Sequence, residues 1–322
     1  MPNLWMHIEY GRETAETFGG AMPFAEALRT HAPLFRLGCQ GPDFLLYRRF
    51  WPWLGDDGSV ALGNLMHTEQ CGPVMMTFWE RTLELPPEER TPAQVYFFGF
   101  LTHHLLDRNF HPYVNWRAGY KGRDHQRFEI MLDTVFMKRK KGFETWRHPA
   151  WRQIYAGERL PEIIVRILES AKRWYPESAS LSASCWQKSY RDMVSAQRLL
   201  YDPSGWKNRL TFGLAARLLS RPLNPMEERL DFLNEAHEEW CHSADPAEKS
   251  TASVWDLWEQ AMEDARLVLP ALADWLKAGA GQTAALRERF RRVLGNRSYD
   301  TGKNCELALE NKYSRPIWSA GV

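Results

Sequence analysis

The stretch Thr102-His103-His104-Leu105-Leu106-Asp107-Arg108-Asn109-Phe110-His111-Pro112 decides how this chain reads. It closes a run from Pro92 whose apolar residues recur at helical spacing, and Thr91-Pro92 has the form of an N-cap followed by proline in the first turn. In a helix His103 and Asp107 share one face a turn apart, and His111 lies another four residues on. That spacing lets two side chains hold one metal, or lets one side chain bridge two. His104 points about a quarter-turn away and reads as a core or supporting group. Pro112 disfavours continued helix, so the helix is expected to end near Asn109.

Downstream, His125-Gln126-Arg127-Phe128-Glu129 repeats the histidine and carboxylate at i and i+4. One such pair is a weak signal, because a helical salt bridge explains it equally well. Two pairs joined by an extra histidine are a stronger one. Upstream stand His7 after Trp5, Asp43 in the Gly41-Pro42-Asp43-Phe44 turn, and His67 after Leu65-Met66. Alone, each would read as structural. Together, imidazoles and carboxylates without thiolates suit zinc or a similar divalent metal.

Composition narrows the classes. Lysine plus arginine number 41 against 40 acidic residues, a net charge of +1, which leaves no nucleic-acid footprint. The run Lys138 to Lys141 reads as a solvated helix end. The five cysteines (Cys39, Cys71, Cys185, Cys241, Cys305) are scattered and form no Cys-x-x-Cys pair, so reduced thiols are expected rather than a disulfide frame or thiolate zinc. The N-terminal Met1-Pro2-Asn3-Leu4-Trp5-Met6-His7 has no signal-peptide pattern, and the apolar runs are too short to span a bilayer. A cytoplasmic protein is expected. The 15 tryptophans, Trp5, Trp51, Trp53, Trp79 and Trp116 among them, suit core packing or a cleft wall.

Helical periodicity extends to Ala15–Thr30, Gly58–Leu83, His125–Met137, Leu160–Tyr175, Ala183–Tyr201, Leu210–Ser220, Ser250–Ala278 and Thr283–Leu294, with no convincing strand. The expectation is one all-α domain over 1–322, with a metal-site half (1–142) and a supporting helical half (143–322). His31 and His148 read as loop histidines, and His237 and His242 as a helix end near Ser243. Leu257, Met262, Leu267, Leu269, Leu272 and Leu276 read as a core stripe.

On His103-Leu106-Asp107 with Asn109 and His111, then His125-x-x-x-Glu129 with Asp133-Thr134, the chain resembles the zinc-dependent phospholipases C, which share their fold with the P1/S1-type nucleases. Asp43-Phe44 and His67 stand upstream in the family's order, and the likeness covers roughly Met1 to Val135. The resemblance implies a trinuclear zinc site, and two or three zinc ions are expected here. Asp107 would bridge two metals, with His67 and His103 completing one site beside Asp43, and His7 serving the other. His111, His125 and Glu129 would hold the third. Asp43 would orient the attacking water or take its proton. The family's N-terminal tryptophan has no counterpart, because this chain starts Met1-Pro2; a freed Pro2 amine is the substitute expected.

Three functions follow: a phospholipase C-like phosphodiesterase, a P1/S1-type nuclease on single-stranded nucleic acid, or a metal-stabilised helical protein without catalysis. A lipid substrate wants an apolar rim, for which Phe44, Phe50 and the tryptophans qualify. A nuclease wants stacking rings and basic groups, and Trp51, Trp53 and Trp116 supply only the rings.

Overall fold

The computed structural model describes residues 4–50, 55, 57–121, 123–213, 218–279 and 281–319. The chain is 65% helical, an all-α fold with one small hairpin. In order the helices are α1 (Leu4–Phe18), α2 (Ala27–Thr30), α3 (Ala32–Gly38), α4 (Ser59–Thr68), α5 (Cys71–Leu83), α6 (Pro87–Ala118) and α7 (Asp124–Lys141). Then follow α8 (Trp151–Ile154), α9 (Glu162–Glu169), α10 (Ser184–Leu200), α11 (Trp206–Leu210), α12 (Val254–Leu276) and α13 (Thr283–Leu294). A 3-10 segment, Gly41–Arg49, carries Asp43.

Helix α6 is the axis of the molecule, and α1, α3, α5, α7 and α12 pack around it. It starts at Pro87, five residues before the expected start at Pro92, and runs unbroken through Pro92 and Pro112 to Ala118. A proline inside a helix costs about 3 kcal/mol. Full burial of Phe110, Tyr113 and Val114 around Pro112 returns more than that, at roughly 1.5–3 kcal/mol each. Pro112 has no N–H for the carbonyl of Arg108, four residues back. Gly302 packs close to that oxygen, and an added Cβ there would stand only 2.2 Å from it.

Several expected segments are cut differently. The first helix is Leu4–Phe18, not Ala15–Thr30, because Trp5, Met6 and Tyr10 carry its buried face and Gly19-Gly20 ends it. Gly58–Leu83 is two helices, divided at Gln70, whose φ of 51° is left-handed. The expected helix Leu210–Ser220 begins instead in a turn at Thr211–Gly213, after α11; positions 214–217 lie outside the described residues.

His237 and His242 do not end a helix. Trp240–His242 pairs antiparallel with Asp245–Ser250, with Trp240 and His242 turned inward and Cys241 outward, the two-residue period of a strand. Leu267 belongs to no core stripe; it is 64% exposed on α12, whereas Leu257, Met262, Leu269 and Leu272 are buried. Ser253 caps α12 through a reciprocal capping box with Asp256, and α13 spans the expected Thr283–Leu294. The buried apolar side chains form one cluster reaching from Leu4 to Ile317. No helix among the described residues is long and apolar enough to cross a membrane.

Candidate metal centre

Helix α6 presents His103, Asp107 and His111 in a row on one face, all buried. Each remaining group arrives on a different element. His7 comes from α1, whose first turn is held by Asp133 of α7: the carboxylate accepts the Met6 N–H at 2.7 Å and the Trp5 N–H at 3.4 Å. Burial pushes the Asp133 carboxyl up to about 8 even so. His67 ends α4. Asp43 is delivered by the 3-10 segment, which can lie against His103 only because residue 41 is glycine. Its φ is +49°, and a Cβ there would fall 2.1 Å from the His103 ring.

Asp107 is the centre of the arrangement. Its Oδ2 lies 2.9 Å from His103 Nε2, while its Oδ1 lies 3.3 Å from His7 Nε2 and 3.9 Å from His111 Nε2. Asp43 Oδ1 lies 3.0 Å from His67 Nε2 and 3.7 Å from His103 Nε2. The His7 and His103 rings stack with centroids 4.1 Å apart.

Three histidines have their tautomers set by main-chain carbonyls. Nδ1–H of His67 donates to Gly63 at 2.7 Å, that of His103 to Cys39 at 3.1 Å, and that of His111 to Tyr299 at 2.8 Å. Every Nε2 lone pair is thereby turned inward, the arrangement that holds a metal-ligating imidazole in place.

Several fully buried atoms left without a hydrogen bond of sound geometry lie at this point. They include both ring nitrogens of His7, Nε2 of His103 and both oxygens of Asp107. An imidazole and a carboxylate that share such atoms at one point, all facing one another, are the donor types a metal ion would satisfy. Two triads, His7–His103–Asp107 and Asp43–His67–His103, have ligand atoms within 4.8 Å of one another. The donor set and its orphaned atoms therefore fit a divalent metal. A single imidazole lone pair serves one ion, so His103 belongs to one triad at a time, whereas the two oxygens of Asp107 can serve two ions. Among the described residues His111, His125 and Glu129 do not close to that distance as a third triad. His125 and Glu129 pair at 2.7 Å and line the same cleft as His111.

Electrostatics follow from burial. Burial and the neighbouring His103 bring His7 down to about 4, so it is a neutral donor at pH 7. Burial also opposes charge on His67, but Asp43 outweighs it and raises that ring to about 9. Burial alone would raise Asp107; the surrounding His103, His111 and His7 hold it well below the usual carboxylate range instead.

The site opens into a cleft of about 530 Å³. Leu4, Trp5, Leu46, Phe50 and Ile130 form an apolar wall, and Arg123 is the one Lys or Arg among its described lining residues. Phe44 is not on the rim: it is buried against Trp186, with ring centroids 6.1 Å apart. Trp116 packs on the core outside the cleft. Trp51, Trp53 and the Pro2 amine lie outside the described residues. His148 is a cleft residue, stacked on Phe143 at 4.2 Å.

Tyr299 and Asp300 join the site from far along the chain. The Tyr299 ring sits 5.2 Å from His67, 5.7 Å from His103 and 4.2 Å from His104. Asp300 Oδ1 lies 3.3 Å from His111 Nδ1. In sequence, Ser298-Tyr299-Asp300-Thr301-Gly302 has only the look of a turn, with no ligand spacing to mark it. His104 and His242 support this loop, the first bonding the Arg297 carbonyl at 2.8 Å and the second that of Thr301 at 2.9 Å.

The family model described as zinc dependent phospholipase C matches residues 6–185, more than half of the chain. The chain belongs to the zinc-dependent phospholipase C family. That membership indicates zinc as the metal and supports a phospholipase C-like role for the chain. No curated protein and no solved structure matches the chain. The part that supplies Tyr299 and Asp300 lies beyond the residues that match this zinc-dependent phospholipase C family model.

Proposed function

We propose that this chain is a zinc-dependent phosphodiester hydrolase acting on a phospholipid-like substrate, with two or three zinc ions per chain. One observation carries the reading: the two oxygens of Asp107 face different histidines, His103 on one side and His7 and His111 on the other, as a bridging carboxylate requires. His67 and His103 with Asp43 would hold one ion, His7 with Asp107 a second, and His111, His125 and Glu129 a third. Zinc bound here supplies positive charge to polarise the phosphoryl group and to acidify water.

The chain's own groups do the rest. Asp43, buried at the base of the cleft, orients the attacking water and takes up its proton. The apolar wall of Leu4, Trp5, Leu46, Phe50 and Ile130 receives acyl chains and excludes water. With Arg123 as the one Lys or Arg among its described lining residues, the cleft offers little for a polyanionic strand to track.

The test is zinc content by elemental mass spectrometry together with hydrolysis of a chromogenic phosphocholine ester and of denatured DNA. Ester turnover that is lost in Asp43→Asn supports the proposal. Preferential cleavage of DNA makes the chain a nuclease, and bound zinc with neither activity makes the cluster a structural clip.

A further inference from the structure

Resting on that zinc site, we propose that Asp300 is a positioning residue of the metal centre. Its carboxylate stands beside the Nδ1–H that His111 donates to the Tyr299 carbonyl, and its charge favours the ring orientation that turns Nε2 toward Asp107. The distances are 3.3 Å to Asp300 Oδ1 and 2.8 Å to the Tyr299 oxygen. His67 and His103 donate to a main-chain carbonyl alone; His111 adds a carboxylate. A carboxylate so placed beside a donated Nδ1–H favours that tautomer and raises the basicity of the opposite nitrogen.

The loop that carries Asp300 is clamped from four sides. The Tyr299 N–H and the Ser298 hydroxyl both donate to the His67 carbonyl, at 2.8 and 3.0 Å. His104 and His242 hold the carbonyls of Arg297 and Thr301. Arg297 Nη1 reaches Asp264 of α12 at 3.1 Å, and that same carboxylate takes Arg108 Nε at 2.8 Å and Asn109 Nδ2 at 2.9 Å from α6. Asp300 itself closes no part of this clamp with its side chain. Its carboxylate is turned to His111 and to the cleft, a third of its surface open. A residue held so firmly yet spared for the histidine is placed for the histidine.

The experiment compares wild type with Asp300→Asn, Asp300→Ala and Asp300→Glu. Zinc affinity is read by chelator competition, and ligand geometry by the visible absorption of the cobalt-substituted protein. Asn and Ala are expected to weaken the most labile zinc 10–100-fold. The cobalt spectrum should change while stoichiometry at saturating zinc holds, and Glu should restore part of the affinity. Wild-type affinity and spectra in both Asn and Ala would overturn the assignment. So would loss of a whole zinc equivalent at saturation, which would make Asp300 a ligand.

A variant-free reading guards against misfolding: long-range nitrogen–proton NMR of the wild-type protein should find the His111 ring protonated at Nδ1, and an Nε2–H tautomer overturns the proposal. These readouts are independent of hydrolysis. Zinc bound by a wild type that cleaves no phosphodiester sinks the proposed function and leaves this inference standing. Unchanged zinc affinity in the variants does the reverse.

Discussion

Helix α6 and the loop 297–304 both reach the cluster, and they present their groups in opposite ways. On α6 the ligand-type side chains ride a continuous hydrogen-bonded rod, so the spacing of His103, Asp107 and His111 follows from backbone geometry alone. The loop has only a short bridge between Arg297 and Asn304, and its shape is imposed by contacts with α4, α6, α12 and the hairpin. The helix supplies the groups; the loop decides how one of them is oriented. Precision in this site therefore comes from two sources, a rigid scaffold and a clamped irregular segment, and damage to each should read differently.

The largest effect should come from the helix. Asp107→Ala removes both oxygens of the proposed bridge and is expected to lower phosphodiester hydrolysis about 10³-fold or more. Zinc per chain by elemental mass spectrometry should fall with it. A loss no greater than that of Asp300→Asn would erase the distinction between rod and loop.

Next comes a matched pair of glycines, one on each side. Gly302→Ala meets the Arg108 carbonyl at 2.2 Å with φ at +65°, and Gly41→Ala meets the His103 ring at 2.1 Å with φ at +49°. Each should cost about 3 kcal/mol or more in chemical denaturation. Gly41→Ala should also weaken zinc directly. Gly302→Ala should act on zinc only through His111, so equal loss of every equivalent in that variant would break the contrast.

A third expectation concerns a buried carboxylate that ties the late part of the chain to α7. Glu227 is buried and accepts bonds from Arg221 and Arg127 and from the Asn224 N–H at 2.9 Å. Burial would raise its carboxyl, but these partners, Arg221 foremost, bring it from 4.5 down to about 2. The folded value is depressed, so the stabilisation is complete above 4.5 and disappears as pH falls toward 2, amounting to at most about 3 kcal/mol. Wild type should lose stability across that window in urea titrations, and Glu227→Gln should lose less. Parallel curves for the two proteins would show that the pair contributes nothing.

The smallest effect belongs to Leu267→Gln. With 64% of its surface in water, Leu267 should change stability by less than about 0.5 kcal/mol.

The ligand face of α6 and the His125–Glu129 pair could be read from the sequence because i,i+4 spacing is a local property of helices. Asp43 and His67 were visible only through their order along the family pattern, since a turn acid and a single helix histidine carry no local signature. Pro112 pointed the wrong way. Its local preference ends a helix, and the burial of Phe110, Tyr113 and Val114 that overrides it is tertiary. The Trp240–Ser250 hairpin escaped notice because a three-residue strand shows barely one alternation. Asp300 could not have been found at all: what makes it functional is a fold that returns residue 300 to residue 111.

That return has a consequence in time. The Tyr299 carbonyl that bonds His111 lies 188 positions further along the chain. At about 5–20 residues per second, a ribosome needs roughly 10–40 s to make that stretch. During this interval His111 lacks the late loop that orients it, so a growing chain is expected to offer a loose, exchangeable site before it offers a tight one. Nascent protein should trade metal freely with its surroundings, and the closing of the late loop should end that trade.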